Sequence, residues 1–179
     1  MICLTTKSAE DTRELAGSLA NLARPGDVVL LAGDLGAGKT AFAQGFGRAL
    51  GVTESITSPT FVLVHTYQGR LRLVHADAYR LEHLGEIIDL GLPELLDEGA
   101  VALIEWGDRL APALAPDFLE VRLEMGAGDD QRHLCLRTVG PGWGARLRSL
   151  TMAMARWRVT GDEWTSEGQG QPGPRGDDQ

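Results

Sequence analysis

The octapeptide Gly33-Asp34-Leu35-Gly36-Ala37-Gly38-Lys39-Thr40 constrains this chain more than any other feature, because it satisfies G-x-x-x-x-G-K-[ST] at every fixed position. Gly36 and Gly38 can take backbone angles barred to residues with a Cβ, so successive N–H groups can turn inward around a phosphate. Lys39 adds a positive charge. Thr40 brings a hydroxyl suited to Mg2+, which takes oxygen ligands in near-octahedral order and keeps several waters. The flanks agree with the motif: residues 27–32 read as a buried strand, and residues 41–50 read as a helix that Gly51 ends. The N-terminus of that helix faces the phosphates in such a unit.

Length and composition narrow the classes of function. With 179 residues the chain suffices for one full core but not for two ordinary domains. A formal net charge of −8 argues against binding nucleic acid through its own electrostatics, so a role with RNA would run through a partner. No run reaches the apolar length a membrane helix needs, and the N-terminus lacks the basic-then-apolar order of a secretory signal. Cys3 and Cys135, the two cysteines, have no second Cys or His at metal-ligand spacing. They could form one disulfide, but structural thiols in a reducing cytoplasm are the expectation.

Along the chain, Ser8 reads as an N-cap with Asp11 at the third helical position, and Leu15, Leu19 and Leu22 fall on one helix face. The opening order is therefore helix, strand, loop, helix. Residues 61–67 and 71–75 read as one hairpin, and 118–123 with 133–137 as a second. Residues 81–90 and 92–98 read as two short helices broken by Gly91 and Pro93, and the apolar run 100–105 as a central strand ending in Glu105. These elements predict an α/β fold with a mixed parallel and antiparallel sheet flanked by helices. Trp143, Leu147, Leu150, Met154 and Trp157 recur at helical spacing, with Arg146, Arg148, Arg156 and Arg158 on other faces. The domain reading is 1–140 for the catalytic domain, 141–159 for a docked amphipathic helix and 160–179 for a disordered acidic tail.

Three further segments place polar groups near the Gly-rich loop. Thr57-Ser58-Pro59-Thr60 stands where many phosphate-loop proteins sense a terminal phosphate, although turn chemistry also explains Ser-Pro. Asp77, at a strand end, could orient a water or the hydration shell of a metal, or cap a helix. Glu105 ends a wholly apolar strand and could complete a metal site with Thr40. Without an Asn-Lys-x-Asp segment adenine is the better guess for a base, and without an Arg-rich lid the chain reads as an ATP-hydrolysing switch.

Gly33 to Thr40, Ser58-Pro59-Thr60-Phe61, His75-x-Asp77-x-Tyr79-Arg80-Leu81 and Ile104-Glu105-Trp106 together resemble one family, the TsaE (YjeE) ATPases of bacterial tRNA threonylcarbamoyladenosine synthesis. The likeness covers residues 6–123 well and the second hairpin loosely. It implies a small P-loop NTPase fold binding ATP and Mg2+. Lys39, Asp77 and Glu105 would be catalytic, and Thr40 and Glu105 would hold the metal. Asp34, Leu35, Gly36, Ala37, Gly38, Lys39, Thr40 and Ala41 would contact the nucleotide, with Trp106 and Arg132 beside it and residues 8–12 near the base. It further implies a weak ATPase that works with TsaD and TsaB, touches tRNA only through that complex, and resets it between turnovers. Two other readings of the same loop are a small-molecule kinase and a nucleotide-dependent interaction module without useful turnover. Residues beyond Gly140 extend past the family's usual end.

Overall fold

The computed structural model describes residues 1–59, 64–79, 91–106 and 116–159. Within these, β1 (Ile2–Thr6), α1 (Ala9–Ala20), β2 (Val28–Ala32), α2 (Lys39–Ala49), β3 (Val64–Tyr67), β4 (Leu73–Asp77), α3 (Leu92–Asp97), β5 (Val101–Glu105), β6 (Phe118–Met125) and β7 (Arg132–Val139) follow in turn. The strands make one sheet in the order β1-β7-β6-β2-β5-β4-β3. Pairs β6/β2, β2/β5 and β5/β4 are parallel, whereas β1/β7, β7/β6 and β4/β3 are antiparallel. The mixed α/β fold expected from the sequence is thus present. β2, β4 and β5 are buried at every position, as parallel strands covered on both faces must be.

Alternate residues of these strands feed two cores. Val29, Leu31, Leu103 and Leu73 pack with Phe42 and Phe46 of α2 and Leu15 and Leu19 of α1. Val28, Leu30, Ala102, Ile104 and Val74 pack on the opposite side with Leu92 of α3. Ser8 caps α1 by accepting the Asp11 amide at 3.1 Å, and Gly51, at φ +85°, follows α2. The expected helix 81–90, residues 60–63 of the expected loop and first hairpin, Arg80 and the expected tail 160–179 lie outside the described residues.

Two expectations need correction. The chain opens with a strand, not a helix: Ile2, Leu4 and Thr6 are buried on one side while Cys3 and Thr5 are half exposed, an alternation five residues long that is completed only by pairing with β7. Residues 141–159 are not one helix. They form α4 (Pro141–Ala145), α5 (Leu147–Ala153) and a 3-10 turn (Ala155–Trp157), because the chain bends at Arg146 and again at Met154 to follow the first core. Trp143, Leu150, Met154 and Trp157 of this segment are buried in the first core. Its arginines are partly consumed in docking. Arg146 lies over the Trp143 ring and grips both Asp27 carboxylate oxygens at 2.6 and 2.7 Å, and Arg156 reaches Asp11 at 3.0 Å and Glu14 at 2.5 Å.

Asp11 ties this segment to α1. Burial works against its charge, but hydrogen bonds from the Trp157 Nε1–H, the Lys7 amide and Arg156 together hold its pKa below the ordinary 3.8. A depressed folded pKa contributes stability that is present above the unfolded value and lost as pH falls through the folded one. The thermal midpoint of the parent should therefore fall faster below pH ~4 than that of Asp11→Asn; parallel curves from pH ~5 to ~2.5 would refute the tie.

Cys3 and Cys135 are register partners on β1 and β7 and stand as free thiols. Burial, with the hydrogen bond between the two sulfurs, pushes Cys135 up to about 12, which suits a structural thiol and not a nucleophile. No helix among the described residues is long and apolar enough to cross a membrane.

Candidate functional site

The Gly-rich loop runs from the end of β2 to the start of α2 and takes positive φ at Gly33, Gly36 and Gly38. Gly33 has φ +143°, and a Cβ there would stand 2.3 Å from the Leu123 carbonyl oxygen of β6. Gly38, at φ +104°, occupies the N-cap of α2, and no side chain caps that helix. A loop that leaves the helix end to its own amides is suited to an anion.

Lys39 begins α2 and is buried. Its Nζ donates to the Gly33 carbonyl at 2.7 Å and the Asp34 carbonyl at 3.0 Å, and lies 4.2 Å from the centre of the Trp106 ring. Burial lowers its pKa, against the opposing pull of the Glu105, Asp77 and Asp34 charges. The ammonium is thus held inside the loop with two carboxylates nearby.

Those carboxylates come from adjacent strand ends. Asp77 and Glu105 are register partners on β4 and β5, on the face that carries Leu73 and Leu103 and packs against α2. Both are buried. Asp77 accepts the Tyr79 amide at 2.9 Å, and Glu105 accepts from His75 Nε2 at 2.9 Å. Trp106 follows at φ +58°, the one non-glycine residue with positive φ among those described, a conformation that costs about 1–3 kcal/mol and persists where surrounding structure imposes it. Its ring meets Tyr79 at a centroid distance of 5.2 Å.

These groups share a cavity of about 460 Å3, the size of an ordinary ligand pocket. Leu35, Gly36, Gly38, Lys39, Thr40, Asp77, Glu105 and Trp106 line it, so most of the expected site residues converge, joined by Ser58 and Tyr79. Asp34 and Ala37 instead border a smaller cleft with Leu123, Glu124 and Met125. Arg132 leans on the loop from outside, its Nη2 3.4 Å from the Gly36 carbonyl, while Nη1 bonds the Asp129 and Gln131 carbonyls. Neither Ala41 nor residues 8–12 line the cavity. The sequence offers no role for Tyr79 or His75; the signal for His75 is a polar ring between the apolar Val74 and Ala76, two residues before Asp77.

The cavity brings together a cation, glycine-shaped backbone, a hydroxyl and two carboxylates. Thr40, Asp77 and Glu105 are hard oxygen donors of the kind Mg2+ accepts. No three His, Cys, Asp or Glu side chains among the described residues gather into a metal cage, so a metal here would need water or ligand oxygens as well.

Known proteins resemble this chain over most of its length. The family model described as Threonylcarbamoyl adenosine biosynthesis protein TsaE matches residues 6–134. The chain belongs to the TsaE family. Among relatives named tRNA threonylcarbamoyladenosine biosynthesis protein TsaE, the Bacillus subtilis protein is 42% identical over 136 residues, 75% of this chain and 84% of the relative. The Streptomyces coelicolor protein is 44% identical over 138 residues, 73% of this chain and 93% of the relative. The crystal structure of Bacillus subtilis YdiB superposes with a TM-score of 0.69 at 34% identity, covering 87% of this chain and 97% of that one. The TsaE match spans every candidate site residue from Asp34 to Arg132 and stops within β7, so α4, α5 and the turn after them lie beyond it.

Proposed function

We propose that this TsaE-family chain is the ATP-binding and ATP-hydrolysing subunit of tRNA N6-threonylcarbamoyladenosine formation, acting with TsaD-type and TsaB-type proteins to reset their complex between turnovers. The observation that carries the proposal is the convergence of Lys39, Thr40, Asp77 and Glu105 on one cavity at the N-terminus of α2. The names of the family and its relatives support the pathway.

In this reading Lys39 gives up its two loop carbonyls to bind the phosphates, and the amides around Gly36 and Gly38 cradle them. Thr40 and Glu105 would hold Mg2+, which when bound would supply neutralisation of charge on the phosphate oxygens. Asp77 orients the attacking water, and the Tyr79–Trp106 pair walls the site. With a net charge of −8, contact with tRNA is left to the partners.

Asp77→Ala should slow phosphate release by about a hundredfold or more, the scale of a lost acid–base group, while ATP affinity stays within about threefold. The deciding test is multiple-turnover threonylcarbamoyladenosine formation on tRNA by the two partners, supplied with threonylcarbamoyl-adenylate and Mg-ATP, with and without this chain. Continued turnover only when the chain is present is expected. No effect with competent partners would overturn the proposal.

A further inference from the structure

We propose that His75 is a positioning residue for Glu105: its buried imidazole holds one carboxylate oxygen and thereby aims the other into the cavity. The inference rests on the reading of Glu105 as a magnesium-binding acid and deepens it. His75 is 0% exposed, in a strand whose neighbours Val74 and Ala76 are apolar and buried. Burying an imidazole without compensation is costly, and an aliphatic side chain would fill that space without the cost. The compensation lies in one place. Nε2 is 2.9 Å from Glu105 Oε1, and because a carboxylate only accepts, the ring N–H donates. Nδ1 has no partner among the described residues, so the ring is committed to this acid.

The register explains the aim. His75 pairs with Leu103 and Asp77 pairs with Glu105, so the imidazole sits one pleat behind the two acids, on their own face of the sheet. From there it occupies Oε1 from the protein side, and Oε2 is left for the cavity that Glu105 lines. Hydrogen-bonded partners of ligating carboxylates orient them, and their loss typically weakens metal affinity 10–100-fold.

The test is calorimetric titration of the full chain with ATP, in EDTA and over a series of Mg2+ concentrations, for the parent, His75→Leu, His75→Gln, His75→Asn and Glu105→Gln. His75→Leu should bind metal-free ATP like the parent yet need about 10–100 times more Mg2+ for half of the metal-dependent gain in affinity. His75→Gln, whose longer amide can donate from the place of Nε2, should recover most of that loss, and the shorter His75→Asn should not. If His75→Leu does not fold, the Gln and Asn pair carries the comparison. Equal loss of ATP affinity with and without Mg2+, or no difference between Gln and Asn, would make His75 merely structural and overturn the inference. A parental Mg2+ response in His75→Leu alongside a lost one in Glu105→Gln would overturn this inference alone. A parental response in Glu105→Gln would remove the metal role of Glu105 and the inference with it.

Discussion

Lys39→Ala is expected to weaken ATP binding by about a hundredfold or more. Hydrogen bonds to charged groups are worth about 1.5–3 kcal/mol each, and every 1.4 kcal/mol is about tenfold in affinity, so losing even two phosphate contacts reaches that scale. The change also leaves Asp77, Glu105 and Asp34 without the cation that their charges now support. Incoming phosphates would then meet a site that is more negative by one charge. Folding should survive, because Ala is the best helix former and the lost contacts are two bonds to the loop's own carbonyls and the ammonium's place over the Trp106 ring. Calorimetry would give the dissociation constant, and a thermal midpoint within a few degrees of the parent would show that the loss is local. Equal affinity in parent and variant would remove Lys39 from the site.

Gly45→Ala is expected to destabilise the chain by about 3 kcal/mol, although helix propensity alone would make it about 1 kcal/mol more stable. The difference comes from where α1 and α2 cross. A Cβ on Gly45 would stand 2.1 Å from the Arg13 carbonyl oxygen and 2.4 Å from the Arg13 Cα, and backbone cannot swing aside as a flexible side chain can. Gly17 lies at the same crossing with ordinary spacing, its added Cβ 3.5 Å from both the Ala49 Cβ and the Gly45 carbonyl oxygen. At about 2–4 °C per kcal/mol for a chain of this length, the midpoint should fall by about 10 °C. Because α2 also carries Lys39 and Thr40 at its first turn, ATP affinity should fall in the same variant. Gly17→Ala is the control and should stay within a few degrees of the parent. A Gly45→Ala chain as stable as the parent would show that the helices can separate freely.

What was legible in the sequence is what neighbouring residues encode. The strand, Gly-rich loop and helix around Gly33 to Thr40 follow from apolar runs and glycine spacing within about twenty residues, and both hairpins follow from alternation around a turn. Glu105 stood out because a carboxylate ended an apolar run, and the structure puts it opposite Asp77. The first strand was hidden. Its five residues carry a weak alternation, and their partner β7 begins more than 120 residues later.

The sequence by itself determined the local units, the Gly-rich turn between β2 and α2 and the family, since each rests on residue types at short fixed spacings. Tertiary structure alone decided the strand order β1-β7-β6-β2-β5-β4-β3, the bond between His75 and Glu105, and the use of Arg146 and Arg156 as clamps. The reason is physical: the His75 and arginine contacts join residues 30 to 145 positions apart in sequence, and β1 pairs with a strand that begins more than 120 residues later. Which of them forms is settled by register across the sheet and by the need to pair each buried polar group, conditions met only once the whole core has assembled.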